Sequence, residues 1–241
     1  MLPLLLHLLM KAIENTIKAI FPDTAPGMVS CGLASHILER DKGATFTSVD
    51  WTNGYFMTFD PTIAKDMTSF FSKYKAPEVF RKDCDGVMIF EENDKRYLFL
   101  TELKSSFDTT RVCEAKTQLL SSYLKINMLL NLTQGWKNEA TIVKGFIVSP
   151  APEKAKRAEW KRDARAAANS SKRFDYSDKI FCGKLLNCID NKKPMLLHGY
   201  DSHHLAPCCL GDRGIFPEME LHYVEVPAGQ TSLTLDARHY L

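Results

Sequence analysis

Several common signatures of function are missing from this chain of 241 residues. It contains no glycine-rich phosphate loop, no GxGxxG fingerprint and no GxSxG motif. Nothing therefore indicates a P-loop nucleoside triphosphatase, a dinucleotide-binding enzyme or a hydrolase with a nucleophile elbow. Internal repeats and long low-complexity segments are also absent. Functional residues must be sought in a less conspicuous pattern.

The charge balance excludes an interaction driven by total charge. The 31 lysines and arginines nearly offset the 29 aspartates and glutamates, which leaves a formal net charge of +2. Any attraction to nucleic acid must come from clustering of basic residues. With 45% hydrophobic and 25% charged residues, the composition is that of a soluble globular protein with a substantial core.

Cysteine usage predicts a reducing compartment. Seven cysteines, an odd number without a CxxC spacing, favour free thiols in a cytoplasmic protein over a disulfide framework. The stretch HHLAPCC contains residue types that bind zinc, but its spacing fits no common zinc pattern. A loop with incidental thiols is the favoured interpretation of His203, His204, Cys208 and Cys209.

No apolar run is long enough to span a bilayer, so no membrane partner is expected. The opening MLPLLLHLLMK lacks the basic region and the small-residue cleavage site of a signal peptide. Apolar residues instead recur at helical spacing, which predicts an amphipathic helix on the core that ends near Phe21: Leu2, Leu6, Leu9, Ile13, Ile17 and Ile20.

The most informative stretch is residues 83–104, in which two apolar runs flank a polar EENDK segment. This pattern predicts a β-hairpin that turns at Asn93 and Asp94. A two-residue turn there places Asp85 opposite Glu102 and Asp83 opposite Lys104. Because residues two apart on a strand share a face, Asp85, Glu102 and Lys104 should project to the same side. Both faces of the hairpin are apolar, as in an interior strand pair.

Two carboxylates in such a place repel each other and lose hydration, so they need a cation. Asp and Glu oxygens suit Mg²⁺ or Mn²⁺, which activate water and stabilise charge on phosphoryl oxygens. A lysine at position 104 would orient that water or neutralise developing charge. The alternative without a metal is a surface hairpin whose three charged residues are solvated or ion-paired.

Asp85 followed by the triplet Glu102, Leu103 and Lys104 resembles the active-site signature of the PD-(D/E)xK nuclease superfamily. The resemblance implies that Asp85 and Glu102 bind the metal, that the backbone carbonyl of Leu103 adds a ligand, and that Lys104 assists the attacking water. Cys84 stands where the named proline would be. That proline has no chemical role in the metal site, so its absence is discounted.

Two helices offer further site residues by the same resemblance. Residues 109–132 form the clearest predicted helix, and Gln118 on it resembles a glutamine that some of these nucleases carry after the motif. Tyr123 on the same helix is expected in the core. The family often takes a glutamate from an N-terminal helix, for which Glu14 is the best-placed candidate. A short helix predicted at residues 28–39 makes Glu39 its rival, and an exposed helix-surface charge is an equally good interpretation of Glu14.

The order of elements predicts an α/β fold with a mixed central sheet flanked by helices, a restriction-endonuclease-like core. Strand, helix and strand over residues 97–149 imply a right-handed parallel crossover. Residues 45–59, with Asn53 and Gly54, predict another hairpin. Residues 1–150 would form the core, and residues 151–241 a basic helical segment and a small α/β extension packed on it.

Basic residues cluster in two places. Arg81 and Lys82 precede the acidic hairpin and would either contact phosphate or balance charge. Residues 153–173 form the one markedly basic segment, whose Lys161, Arg162 and Arg165 would follow a nucleic acid backbone. A solvated helix face or a loop is an equally good interpretation of this segment.

These patterns together predict a nuclease that uses Mg²⁺ or Mn²⁺ and acts on nucleic acid, with DNA favoured. Restriction or phage defence is the role implied by analogy with small members of the superfamily, and such a compact enzyme is expected to dimerise or to work within a larger complex. The leading alternative is an inactive nuclease-fold protein that binds nucleic acid or a protein partner. A purely structural α/β interaction protein is the third hypothesis.

Overall fold

A computed structural model describes residues 2–23, 26–39, 43–136, 140–168, 178–190, 193–198 and 218–241. The HHLAPCC stretch lies outside these ranges. The described helices are α1 (Leu2–Ile20), α2 (Pro61–Lys73), α3 (Thr109–Asn131), α4 (Lys154–Ala168) and α5 (Asp178–Asp190). The described strands are β1 (Val29–Gly32), β2 (Ser35–Leu38), β3 (Ser48–Thr52), β4 (Phe56–Phe59), β5 (Gly86–Glu92), β6 (Lys95–Leu103), β7 (Thr141–Pro150), β8 (Met195–His198), β9 (Glu218–Val226) and β10 (Ser232–Asp236).

A seven-stranded mixed sheet in the order β1-β4-β5-β6-β7-β9-β8 forms the centre of the fold. β6, β7 and β9 run parallel, and the other neighbours are antiparallel. The predicted α/β class and the parallel crossover from β6 through α3 to β7 are confirmed. Residues beyond 150, predicted as an extension, supply β8 and β9 to this same sheet.

The hairpin of β5 and β6 has the predicted register. Gly86 pairs with Thr101 and Glu92 pairs with Lys95. Asn93 and Asp94 both adopt positive φ, at 52° and 59°, as a tight two-residue hairpin turn requires. The turn residues therefore determine which side chains meet at the other end of the hairpin.

The two faces of the central sheet are covered differently. On one face, Val87, Ile89, Leu98 and Leu100 pack in a cluster to which all five described helices contribute. On the other face, the odd-numbered side chains of β6 pack against a three-stranded sheet of order β10-β3-β2, with Trp51 at its centre. Both faces of β5 and β6 are thus buried, as their near-continuous apolar sequence predicts.

Two local predictions are wrong. Residues 28–39 are not a helix but two strands, and the burial of Ser35, His36, Ile37 and Leu38 alternates with the period of two that a strand requires. The strands on either side of Asn53 and Gly54 do not pair with each other, because β3 joins the small sheet and β4 the central one. Asn53, at φ 59°, turns the chain from one sheet to the other, and its side-chain amide donates to Asp236 at 2.8 Å.

In the part of the chain that the structure describes, no helix has the length and apolar character needed to cross a membrane. The apolar residues of α1 are instead used for packing, since Leu6, Leu9, Ile13 and Ile17 are all buried against the sheet and its helices. This confirms the amphipathic helix predicted at the start of the chain, although Ile20 at its end is exposed.

Helices α4 and α5 pack closely at Gly183. A Cβ atom at this position would lie 2.0 Å from the carbonyl oxygen of Trp160 and 2.8 Å from the Cβ of Ala164. Because the first obstacle is backbone, the two helices would have to separate to admit a side chain. Gly183 therefore determines how closely α4, which carries the basic residues, approaches the fold.

We expect Gly183→Ala to lower the free energy of unfolding by about 2 kcal/mol or more, since overpacking against backbone has no easy relaxation. Chemical denaturation measures the change. Gly32→Ala is the matched control, because its nearest atom would be 3.4 Å away and the substitution should change stability by less than about 0.5 kcal/mol. Equal stability of the two variants would contradict the close helix packing.

Candidate metal centre

Asp85, Glu102 and Lys104 meet at the end of the hairpin opposite its turn. Asp85 immediately precedes β5, Glu102 lies in β6, and Lys104 immediately follows β6. The backbone N–H of Leu103 donates to Oδ2 of Asp85 at 2.7 Å. The Asp85 carboxylate thus accepts the hydrogen bond that a continued β5 backbone would have accepted, and this contact fixes it against β6.

Glu102 and Lys104 form a buried ion pair. Nζ of Lys104 lies 2.6 Å from Oε1 of Glu102, and the two side chains are 8% and 2% exposed. Nζ of Lys104 also donates to Oε1 of Gln118 on α3 at 2.8 Å. Oε2 of Glu102 is buried and accepts no hydrogen bond from an N–H or O–H donor of the described residues. One oxygen of this carboxylate is therefore satisfied by Lys104, and the carboxyl group also interacts with Asp85 through a side-chain hydrogen bond that lowers the pKa of Asp85.

Burial and mutual repulsion control the ionisation of the acids. Burial, and next the charge of Glu39, raise the pKa of Asp85 from 3.8 to about 7, although the Leu103 N–H and Lys104 oppose the rise. Burial and then Asp85 raise the pKa of Glu102 well above its ordinary value. Burial lowers the pKa of Lys104, but the acids, led by Glu102, outweigh it and leave this pKa raised. Lys104 is therefore a cation at neutral pH.

Of the two glutamates predicted as alternatives, the structure brings Glu39 toward the acids and leaves Glu14 elsewhere. Ile37 of β2 occupies the space beside Gly86, where a Cβ would lie 2.4 Å from Cδ1 of Ile37. Two residues later, Glu39 acts electrostatically on Asp85, Glu102 and Lys104. Glu14 instead raises the pKa of Cys31 in β1, after burial of that thiol. The sequence left the choice between Glu14 and Glu39 open, and it took residues 28–39 as a helix where the structure has two strands.

Gln118 faces the site, and three further polar residues of α3 hold the chain just before Asp85. Gln118 donates to the carbonyl oxygen of Asp83 at 2.9 Å, and the Ser121 hydroxyl donates to that of Lys82 at 2.6 Å. The Ser122 hydroxyl accepts the N–H of Cys84 at 2.8 Å. Lys125 lies one turn further along, and Tyr123 between them is in the core as predicted. The polar residues recur every three or four positions and therefore share one face of the helix.

Asp83 does not lie opposite Lys104 as predicted. β5 begins only at Gly86, so residue 83 stands outside the ladder. Its carboxylate instead pairs with the ammonium of Lys125, a fully buried side chain that also bonds the hydroxyl of Thr68 on α2. Burial lowers the pKa of Lys125, and the hydrogen bond to Asp83 opposes this effect.

The predicted basic residues lie near the same edge of the sheet. Arg81 is exposed, whereas Lys82 is 3.8 Å from both Glu78 and Glu114, which fits charge balance. α4 follows the carboxyl end of β7, which is parallel to β6, and its Trp160 stacks on Phe107 three residues after Lys104, with ring centroids 5.9 Å apart. Lys161, Arg162 and Arg165 lie on this helix.

The donor set fits a hard divalent ion. Asp85 has Oδ1 and Glu102 has Oε2 in addition to the oxygens that accept from Leu103 and Lys104. The N–H of Lys104 bonds to Val148 in β7, so the polar groups of Leu103 face the other way, toward Asp85. Two carboxylates and the Leu103 carbonyl suit Mg²⁺ or Mn²⁺, which keep several water ligands. No group of three or more His, Cys, Asp or Glu side chains is arranged for a metal within the described ranges.

Comparison with protein-family models, with curated proteins and with solved structures found no match for this chain.

We expect Asp85→Asn to raise the melting temperature at pH 8 in EDTA and to change it little at pH 4.5. With its pKa raised to about 7, the folded protein binds more protons than the unfolded chain between about pH 4 and 7. Stability is then lost as pH rises through this window, and the asparagine removes the loss. Exposed Asp66→Asn is the control. A shift independent of pH would contradict the burial of this carboxyl group.

Proposed function

We propose that this protein is a metal-dependent nuclease that hydrolyses phosphodiester bonds in nucleic acid, with DNA as the favoured substrate. The observation that carries the proposal is the pair of desolvated acids, Glu102 and Asp85, which lie side by side with Lys104 on one oxygen of Glu102. Two such acids are costly as carboxylates unless a further cation binds there. A structural ion pair does not need the second acid.

Asp85, Glu102 and the Leu103 carbonyl would hold Mg²⁺ or Mn²⁺, which supplies charge neutralisation at phosphoryl oxygens and acidifies water. Lys104 remains protonated at neutral pH, so its ammonium donates hydrogen bonds and does not remove a proton. Glu102 and Gln118 hold that ammonium from two sides, at 2.6 and 2.8 Å. Its role is to orient the attacking water and to stabilise negative charge that develops on the phosphate.

The basic helix supports a polymeric, anionic substrate. Arg162 and Arg165 are exposed, and neither has an ion-pair partner among the described residues. By contrast, Arg157 on the same helix is paired with Glu225 at 2.8 Å. α4 follows the carboxyl end of β7, so these arginines would be candidates to contact a phosphate backbone that reaches the acids. Roles in phage defence or restriction, and assembly as a dimer or within a larger complex, remain predictions.

We expect the protein to cleave DNA in the presence of Mg²⁺ or Mn²⁺ and to be inactive in EDTA. Plasmid, linear duplex and single-stranded DNA, together with RNA, are the substrates to compare on gels. Glu102→Gln and Lys104→Met should each lower the rate by about 10²-fold or more, because each removes charge from the reacting region. Lys65→Ala on α2, an exposed lysine, is the matched control and should retain full activity.

Cleavage that persists in both site variants would contradict the assignment. If no form cuts any substrate but the folded protein binds nucleic acid, the inactive binding protein becomes the better hypothesis. The melting temperature with and without Mn²⁺ distinguishes the two explanations of an inactive protein. If Mn²⁺ raises the melting temperature of the wild type but not of Glu102→Gln, the protein is an enzyme that lacks an activator. If Mn²⁺ raises neither, the protein binds no metal.

Nucleic acid binding is expected to weaken in the double variant Arg162→Ala and Arg165→Ala. The slope of log affinity against log salt concentration should become shallower by about one to two, since each lost phosphate contact removes about one released counterion. Fluorescence anisotropy over a salt series, in EDTA, measures this slope. Lys65→Ala with Lys73→Ala, two exposed lysines on α2, removes the same charge and should leave the slope unchanged.

A further inference from the structure

Lys125 is a fully buried cation with three polar partners on different elements. Its Nζ donates to the carbonyl oxygen of Lys82 at 2.5 Å, to the carboxylate of Asp83 and to the hydroxyl of Thr68. Thr68 itself donates to the same Asp83 oxygen at 2.7 Å. A single ammonium on α3 thereby joins α2 to the segment that leads into β5.

The hydrogen bonds from α3 to this segment fall on residues 82–84, immediately before Asp85. Serine hydroxyls and the Gln118 amide bind backbone atoms there, and Lys125 binds both a backbone carbonyl and a side chain. The Asp85 carboxylate then accepts a hydrogen bond from β6, that of the Leu103 N–H. Hydrogen bonds from α3 therefore fix the backbone just before Asp85. The hydrogen bond from the Leu103 N–H then depends on the resulting position of the Asp85 carboxylate.

Stability alone does not explain the choice of a lysine here. Burial of an ammonium loses hydration, and a pair of well-packed apolar side chains is often as stable as a buried ion pair or more so. An apolar pair, however, cannot bind the Lys82 carbonyl, and so it cannot hold the backbone in one path. The contact that distinguishes Lys125 from a packing residue is the contact to backbone.

We propose that Lys125 is a positioning residue, whose ammonium fixes residues 82–84 so that the Asp85 carboxylate stands where it accepts the Leu103 N–H and faces Glu102. The use of that carboxylate as a metal ligand rests on the function proposed above, whereas its position does not. Asp83 lies two peptide units from Asp85, so release of the segment displaces the carboxylate directly. Groups that orient a ligand in this way typically change metal affinity by about 10- to 100-fold when they are removed.

The test uses the full chain and two readouts. The first is hydrogen exchange of the Leu103 amide, compared with the Phe99 amide in the same strand to correct for global unfolding. The second is Mn²⁺ affinity by titration calorimetry. Lys125→Met removes the ammonium and keeps the length of the side chain. Lys144→Met is the matched control, because Lys144 is also a buried lysine paired with a carboxylate, that of Glu220.

A third variant, Lys125→Met with Asp83→Leu, makes the pair apolar and should recover stability lost in the single variant. We expect faster exchange at Leu103 relative to Phe99, and at least about ten-fold weaker Mn²⁺ binding, in both Lys125 variants. Lys144→Met should leave both readouts as in the wild type. If the double variant keeps its stability but shows faster Leu103 exchange and weaker Mn²⁺ binding, Lys125 acts as a positioning residue.

The proposal is overturned if Leu103 exchange relative to Phe99 is unchanged in the Lys125 variants, or if the apolar pair restores it. Lys125 would then contribute only to stability. If the wild type binds no Mn²⁺ but Leu103 exchange responds as expected, the positioning role stands and the metal-dependent function fails. The two readouts thus separate the failure of this inference from the failure of the proposed function.

Discussion

Desolvation of two carboxylates at one end of an interior strand pair is the constraint on which the surrounding polar structure depends. Glu102 is almost completely buried, and Asp85 stands beside it with a third acid, Glu39, acting on both. Lys104 offsets part of this charge, and the Leu103 N–H offsets another part. The buried face of α3 is polar at this level because the chain that carries Asp85 needs hydrogen-bond partners there. Below it, where the sheet is apolar, the same helix is apolar.

The core of this site could be predicted because it depends on local rules. A two-residue turn at Asn93 and Asp94 determines the register, and the period of two along each strand then brings Asp85, Glu102 and Lys104 to one face. Helix α3 was equally clear, since its apolar residues recur at helical spacing, and the structure adds an N-cap at Asp108. Gln118 was named by the family resemblance rather than by these rules, and the structure places it on Lys104.

Contacts between distant segments could not be predicted from these rules. The position of Glu39 near the acids depends on the pairing of β2 with β3 in a second sheet. The sequence pattern of residues 28–39 alone does not distinguish these short strands from a helix. Asn53 and Gly54 have the turn chemistry of a hairpin, but tertiary packing sends the two flanking strands to different sheets. Lys125 carries no local sign of burial, because a lysine on a helix is exposed in most proteins. The outcome depends on Asp83, 42 positions earlier.

The small sheet is completed late in synthesis. β10 pairs in parallel with β3, and the flanking contact between Thr47 and Thr231 spans 184 positions. The hairpin with Asp85 and Glu102 emerges from the ribosome long before β10 does. Contacts of such high sequence separation form slowly. Until translation has passed β10, the small sheet of a nascent chain can therefore consist only of β2 and β3.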